Sequence, residues 1–341
     1  MGTEFTVAVV GATGLVGETM ISVLEERAFP VAQLHALASE RSLGRSVMFR
    51  GRSHLVRELA SFDFTGCDFA LFSAGAAVSR EHAPRAAAAG CIVIDNTSEF
   101  RYQEDVPLVV PEVNPKALDG FGRSGIIANP NCSTIQLVVV LKPLHDAARI
   151  ERIDVATYQS VSGAGREGVE ELARQSIAAL SGKGPIDTQG GARQIAFNCV
   201  PHIDAFQDNG YTREEMKIVW ETRKILGEPA LRVNATAVRV PVFYGHSEVV
   251  QIETRRSLSA AQARALLENA PGVTVLDEQR LGGYPTAATE AANRDTVYVG
   301  RIREYLAPDR GLNLWIVADN VRKGAATNSV QIAEALARRP I

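Results

Sequence analysis

Apolar positions in the first third of the chain fall into two alternating textures. FTVAVVG (residues 5–11), apolar but for Thr6 and closed by glycine, has the pattern of a buried strand. GLVGETMISVLEER (14–27) spaces its apolar residues three and four apart and predicts an amphipathic helix. QLHALAS, HLVREL, DFALFSA and CIVIDN predict further strands, with an alanine-rich helix around REHAPRAAAA between the last two. Strand and helix in alternation predict a parallel sheet covered by helices. Past residue 132 the strand-like runs lengthen: IDVATYQSV, LRVNATAVRVPV, HSEVVQIETRR, DTVYVGRIRE and LNLWIVAD, with a few helices between them. This texture predicts a mostly antiparallel sheet with helices on one side. The closing RKGAATNSVQIAEALARR has a helical period and is expected to return to the first domain. The predicted domains are therefore 1–131 with 322–341, and 132–321.

Composition adds mainly exclusions. A chain of 341 residues can build two domains, each with its own core. Hydrophobic residues make up 46% and charged residues 22%, and the net charge is -3, so neither nucleic acid nor an anionic membrane is expected as a partner. Aliphatic runs such as Leu137 to Leu141 are too short to cross a bilayer. The opening MGTEF suits an expression-vector remnant and is given no structural weight. Cys67, Cys91, Cys132 and Cys199 are scattered, with no C-x-x-C pair, so neither a disulfide framework nor a metal site is expected. The expectation is a reduced, cytoplasmic protein. Cys91 and Cys199 lie in apolar, strand-like sequence where buried fillers belong, and Cys67 lies in a loop.

The chemistry begins at VAVVGATGLVG. Gly11, Gly14 and Gly17 follow the first strand and open the first helix, the context a dinucleotide fingerprint requires. Glycine lets the backbone approach a pyrophosphate, and the helix start offers free N–H groups to it. A tight turn without a ligand has the same spacing. The second strand ends in ASERSLGR. Glu40 there suits the ribose hydroxyls of NAD, whereas Ser39, Arg41 and Ser42 suit a 2′-phosphate, and the balance favours NADP. FSAG, with Ser73, ends another strand on the same edge with residues small enough for a cofactor to lie close.

NPNCST places Cys132 at the start of a predicted helix. Free N–H groups there favour a thiolate and can stabilise an oxyanion, with the Asn131 amide as a further donor. Nucleophile and bland neighbour of a helix cap are both open on placement alone. In LRVNATAVRV the row Leu231, Val233, Ala235, Ala237 is apolar and Arg239 continues it, so the guanidinium points inward and needs an anion. A protein carboxylate such as Glu248 or a substrate carboxylate satisfies that need. His246 follows a turn near VFYG that can set it beside Arg239. In TREEMKIVWETRKIL, Thr212 and Glu215 form a capping-box pattern, and Met216, Val219 and Trp220 form the apolar side. Glu214, Lys217, Glu221 and Lys224 share the polar side, where Lys217 reads as half of a surface ion pair.

VGATGLVG, LASERSLG, LFSAG, IDNTSEFR, DVPLVVPEVN, IIANPNCST, YQSVSGAG, EEMKIVWETRKIL, RVPVFYGHSE and DNVRKGAA together resemble the aspartate-β-semialdehyde dehydrogenase family along nearly the whole chain. The resemblance implies an α/β fold: a Rossmann-type dinucleotide-binding domain plus an α+β catalytic and dimerisation domain. It implies Cys132 as nucleophile and His246 as acid/base catalyst. Gln159, Arg239 and Glu214 would hold the substrate, with Arg239 on its α-carboxylate. Arg101, Lys217 and Asn131 would bind phosphate. NADP would contact Gly11, Thr13, Gly14, Leu15, Val16, Ser39, Arg41, Ser42, Ser73, Asn96, Ser162, Gly163 and Asn320. The implied reaction converts L-aspartate 4-semialdehyde and inorganic phosphate to 4-aspartyl phosphate through a cysteine thioester. In reverse it serves lysine (diaminopimelate), threonine, methionine and isoleucine biosynthesis, in a homodimer joined through the second domain. Cys199 and His202, in FNCVPHID, depart from the family pattern. Competing readings are a related acyl-phosphate reductase such as N-acetyl-glutamyl-phosphate reductase, a non-enzymatic dinucleotide sensor and a Cys–His hydrolase.

Overall fold

A computed structural model describes residues 4–182, 193–306 and 311–338. The chain divides into two compact units, Met1–Asn131 with Gly324–Ile341, and Cys132–Lys323. Of the opening MGTEF, residues 1–3 lie outside the described residues. Phe5 is 3% exposed and starts the first strand, as the run FTVAVVG predicts.

The first unit contains β1 (Phe5–Val10), α1 (Leu15–Glu26), β2 (Val31–Ala38), β3 (Ser46–Phe49), β4 (Arg52–Leu55), β5 (Arg57–Glu58), β6 (Phe69–Phe72), α2 (Ala76–Ala88), β7 (Ile92–Asp95) and β8 (Ile126–Ala128). Its main sheet runs β5-β2-β1-β6-β7-β8, with every pairing parallel. Such strands are covered on both faces, which is why β6, and β1 but for Thr6, read as continuous apolar runs. Strand order reverses between β1 and β6, and in sheets of this kind ligands bind beyond the carboxyl ends of the strands at that point. The predicted strand HLVREL is divided: β4 pairs with β3 in a separate hairpin, and β5 joins the edge of the main sheet beside β2. Phe5, Phe29 and Phe69 pack ring to ring at the foot of the core, with centroids 5.2–5.8 Å apart.

The second unit contains α3 (Cys132–Ala148), β9 (Ile150–Gln159), α4 (Gly165–Leu180), α5 (Arg213–Leu226), β10 (Arg232–Arg239), β11 (His246–Thr254), α6 (Ala260–Glu268), β12 (Val273–Val275), β13 (Val297–Glu304) and β14 (Gly311–Ala318). Its sheet runs β10-β9-β11-β14-β13-β12 and is mixed: the inner pairings are antiparallel, and the pairings at each end are parallel. Helix α3 lies on one face of this sheet, against β9, β11, β13 and β14, with α5 and α6 alongside. It is apolar around most of its circumference, as a helix enclosed by neighbours must be. The last helix, α7 (Thr327–Ala337), belongs to the first unit, where it packs on α1 and β7.

Candidate active site

Register in the second sheet builds the site. Arg239 is paired with Gln159 across β10 and β9, and Ser247 with Tyr158 across β11 and β9. His246, one step beyond Ser247, stands level with Gln159 from the other side. Side chains of one level share a face, so Arg239, Gln159 and His246 form a row across three strands. Their face is that of the buried Ala235, Ala237, Val155, Thr157, Glu248 and Val250, the face covered by α3. Arg239 and His246 are thus not neighbours across a hairpin: β9 runs between their strands, and the turn at VFYG crosses it.

Helix α3 brings its first turn to this row. Gln159 donates from Nε2 to Ser133 Oγ at 3.0 Å, the residue after Cys132, and to Thr157 Oγ1 at 3.3 Å and Glu214 Oε1 at 3.2 Å. Cys132 is half-buried, whereas Cys67 and Cys91 are buried. Cys199 is exposed, which corrects its reading as a buried filler: it lies in an irregular segment, not in a strand.

Arg239 donates from Nη1 to the Ser160 carbonyl oxygen at 2.5 Å. Burial lowers its pKa, while the nearby Glu214 and Cys132 pull it upward. No ion pair reaches it among the described residues, so Glu248 is not its partner. Glu248 is fully buried on β11, and no donor meets either carboxyl oxygen with hydrogen-bond geometry. Burial holds its pKa well above the ordinary glutamate value, an effect that the neighbouring Gln136 amide only partly offsets.

His246 is also fully buried, and burial, then the Arg239 charge, hold its pKa well below the ordinary value. The backbone N–H of Ser160 donates to its Nδ1 at 3.0 Å, and Ser160 Oγ lies at the same distance. Nε2 has no hydrogen-bond partner among the described residues. A Cβ built on Gly163 would lie 3.2 Å from Arg239 Nη1 and 3.4 Å from His246 Nε2, so both groups converge on this glycine.

Helix α5 supplies the acidic wall. Its capping box is formed as expected: Thr212 Oγ1 accepts from the Glu215 N–H, and the Glu215 carboxylate accepts from the Thr212 N–H. The faces differ from the expectation. Glu214 and Glu221 are buried, while Trp220 is 38% exposed. Glu214 binds Gln159 with one oxygen and Lys217 Nζ with the other, at 3.0 Å, and Lys217 also reaches Asp204 Oδ2 at 2.8 Å. Burial works to lower the Lys217 pKa, but the two carboxylates outweigh it and raise it. Lys217 is therefore a mostly buried cation between two carboxylates rather than half of a surface pair.

Asn320 is committed within this unit. Its Oδ1 accepts from the Gly245 N–H at 3.0 Å and from Ser160 and Ser162 hydroxyls, and its Nδ2 donates to Ser162 Oγ at 3.0 Å. Ser160, Ser133, Thr157 and Asp204 are parts of this site that the sequence does not single out. A serine after a strand carries no signal of its own; its partner here is 86 residues away.

In the first unit, Gly11 has φ +85°, and a Cβ there would lie 3.1 Å from the backbone of Ser73 and Ala74. A Cβ on Gly17 would lie 2.1 Å from the Gly11 carbonyl oxygen, so this glycine lets α1 sit against the turn. Thr13 Oγ1 and Ser42 Oγ are 3.1 Å apart, which joins the glycine turn to the loop after β2. Arg41 is exposed there, and Leu15 and Val16 begin α1 behind Gly14. Ser73 Oγ donates to the Val10 carbonyl at 3.1 Å, beside Gly11. Asn96 Oδ1 accepts from Asn129 Nδ2 at 2.7 Å, and its carbonyl accepts from Arg101 Nη2 at 2.9 Å. Arg101 and Asn131 are buried.

A family model described as "Semialdehyde dehydrogenase, NAD binding domain" matches residues 6–121, and one described as "Semialdehyde dehydrogenase, dimerisation domain" matches residues 141–323. The chain is 59% identical over 338 residues to an aspartate-semialdehyde dehydrogenase of Legionella pneumophila, covering 99% of this chain and 97% of that one. It aligns with the crystal structure of aspartate semialdehyde dehydrogenase II from Vibrio cholerae complexed with ASA at a TM-score of 0.97 and 54% identity, over 100% of both chains. With the aspartate semialdehyde dehydrogenase of Candida albicans, crystallised with NADP, the TM-score is 0.74 and the identity 27%, over 98% of each chain.

Proposed function

Because the chain belongs to the aspartate-semialdehyde dehydrogenase family of oxidoreductases, we propose that it interconverts L-aspartate 4-semialdehyde and inorganic phosphate with 4-aspartyl phosphate, using NADP and a cysteine thioester. The observation that carries the reading is the row of Arg239, Gln159 and His246 beneath the first turn of α3, where Cys132 sits. Arg239 and Glu214 influence each other electrostatically and present opposite charges, which suits the carboxylate and ammonium of an amino-acid head group. A substrate so clamped has its aldehyde carbon oriented for attack, an effect that can supply several kcal/mol of a barrier.

In the proposed mechanism the Cys132 sulfur, as thiolate, bonds to the aldehyde carbon, and the carbonyl electron pair moves onto oxygen beside His246. The helix start and the Arg239 charge favour that thiolate. Gln159 keeps the amide of its side chain against the substrate and thioester. Phosphate, bound through Arg101, Lys217 and Asn131, then attacks the thioester carbonyl and releases the thiolate. Lys217 must exchange a carboxylate partner to take part.

The first unit suits a dinucleotide, since Gly11, at φ +85° and packed against the Ser73 and Ala74 backbone, makes the tight turn after β1, and α1 starts at Gly14 without a side-chain cap. Gly11, Thr13, Gly14, Leu15 and Val16 would hold the pyrophosphate, and Ser39, Arg41 and Ser42 the 2′-phosphate. Ser73, Asn96, Ser162, Gly163 and the remaining N–H of Asn320 would hold the rest. When bound, NADP supplies the hydride acceptor or donor for the reacting carbon. The matched dimerisation model supports a homodimer formed through the second unit. Among the described residues no helix is long and apolar enough to cross a membrane, and the proposed setting is cytoplasmic amino-acid biosynthesis.

The test is phosphate-dependent NADP reduction with L-aspartate 4-semialdehyde, run beside N-acetylglutamate semialdehyde and NAD. Turnover that needs no phosphate refutes the phosphorylating step, and turnover that survives Cys132→Ala refutes the thioester. Preference for the acetylated aldehyde makes the chain a different acyl-phosphate reductase.

A further inference from the structure

Lys217 stands in the first turns of α5 between two carboxylates, and the two are not held alike. Glu214, three residues earlier on the same helix, keeps its other oxygen on the Gln159 amide, so its place is fixed by the buried row it serves. Its side chain is 7% exposed, against 30% for that of Asp204. Asp204 comes from an irregular segment rather than from a helix or strand. That segment is pinned at both ends. Val200 exchanges two backbone hydrogen bonds with Arg239, at 2.8 and 2.9 Å, and the Ala205 carbonyl accepts from the Arg213 N–H at 2.8 Å, at the start of α5. Between these ties Asp204 takes a left-handed backbone, φ +68°, which aspartate tolerates better than most residues. Its Oδ1 accepts from the Ala205 N–H at 2.8 Å, while Oδ2 takes Lys217. With the backbone tied on both sides, the carboxylate passes from Lys217 to water by turning about its side-chain bonds alone.

We propose that Asp204 is a positioning residue for Lys217: its carboxylate stands in for phosphate on the ammonium group of the resting site, and inorganic phosphate, or the phosphate end of the acyl phosphate, displaces it. This rests on the reading that Lys217 binds phosphate. The electrostatics require a displacement. One ammonium between two carboxylates already sits in an excess of negative charge, and an arriving phosphate meets the repulsion of both. Glu214 cannot give way without leaving a buried charge and a buried amide donor short of a partner. Asp204 gives way into solvent, where its charge is hydrated. Burial works to raise the Asp204 pKa, but the Lys217 and Ala205 hydrogen bonds outweigh it and lower it, so the group that competes with phosphate is an anion. Asp204 thereby sets the phosphate concentration at which the thioester is intercepted. In the reverse direction its return to Lys217 helps to expel phosphate once the acyl group has moved to Cys132.

Steady-state kinetics in the phosphorylating direction, with inorganic phosphate varied at constant ionic strength, test this. Asparagine and glycine both accept the left-handed backbone, so Asp204→Asn and Asp204→Gly remove the competing charge without straining the segment. Each should lower half-saturating phosphate about ten-fold, while half-saturating L-aspartate 4-semialdehyde changes by less than about two-fold. Inhibition of the reverse reaction by added phosphate should tighten by the same factor. Asp204→Glu keeps the charge and should stay near the wild-type value for phosphate. A structural ion pair that only supports Lys217 predicts the opposite, weaker phosphate binding in Asp204→Asn and Asp204→Gly. Half-saturating phosphate that does not fall in these two variants, or that falls as far in Asp204→Glu, overturns the inference. Lys217→Ala separates the two levels: it should raise half-saturating phosphate about ten-fold or more. An unchanged value there removes the phosphate reading of Lys217, and the inference with it, whereas a raised value beside unchanged Asp204 variants removes the inference alone.

Discussion

Replacing Glu248 by glutamine removes one ionisable group and leaves the side chain nearly the same shape. In the wild-type fold the carboxyl is fully buried, the neighbouring Gln136 amide offsets that burial only in part, and its pKa is held well above the ordinary 4.5. The unfolded chain gives up this proton near that ordinary value, whereas the folded chain keeps it. At any pH between the two values, unfolding releases a proton, so stability falls as pH rises. The contribution of Glu248 is complete below the unfolded value, shrinks by about 1.4 kcal/mol per pH unit across the window, and is lost once pH passes the folded value. Glutamine does not titrate. The stability of Glu248→Gln relative to wild type should therefore grow by the same ~1.4 kcal/mol per unit while the wild-type carboxyl stays protonated in the fold. His246 has the opposite sign: its lowered pKa makes stability rise with pH until the ordinary value of 6.5 is passed. That effect is common to both proteins and cancels in the difference. Urea unfolding of both at one protein concentration, at several pH values above 5, measures it. A packing change appears as a constant offset. A difference that does not vary with pH shows Glu248 ionised in the fold and refutes the reasoning.

Gly163→Ala puts a methyl 3.2 Å from Arg239 Nη1 and 3.4 Å from His246 Nε2, so kcat/KM should fall about ten-fold or more; an unchanged rate would show that substrate does not use this gap. Thr212→Ala breaks the capping box of α5 and should cost about 1 kcal/mol in urea unfolding, with Thr212→Ser retaining most of it; equal loss in both would show that the cap is not the cause. Alkylation by iodoacetamide, followed by mass spectrometry of the native protein, should label exposed Cys199 and half-buried Cys132 well before Cys67 and Cys91. Burial pushes the Cys91 thiol far up, so labelling of Cys91 at the Cys199 rate would contradict the core packing.

The parts of the fold that sequence reveals are those whose cause is local. Apolar strands, the glycine turn at 11–17 and the capping box at Thr212 each follow from a few adjacent residues, and each stands in the structure. The misread parts depend on what lies opposite. Counting along α5 puts Glu214 and Glu221 on a solvent face and Trp220 in the core. Packing reverses this, because the face of α5 toward α3 and β10 is the one that carries Glu214, which Gln159 and Lys217 satisfy. Apolar neighbours suggest an interior place for Cys199, but the segment around it forms no strand and leaves it exposed. The strand HLVREL was divided because β5 is held only by the last two residues of β2.

Within the site, legibility follows the same rule in a sharper form. Arg239 was visible because it interrupts an apolar row, and a charge on an inward face demands a partner. Glu248 and His246 interrupt an inward row too, on β11, but adjacent polar residues hide the alternation there: Ser247 and Gln251 face the other way. Once register aligns β10, β9 and β11, the inward polar positions of all three strands fall at one end of the sheet, where α3 begins. Inward polar groups elsewhere on this face would each cost stability. Gathered at that end, Gln159 and Glu214 satisfy one another, while Arg239 and the Nε2 of His246 keep hydrogen-bonding capacity that no described residue takes up. That remainder, a cation and an unpartnered ring nitrogen beside a half-buried thiol, is what makes this end of the sheet a place for chemistry and the rest of the same face an ordinary core.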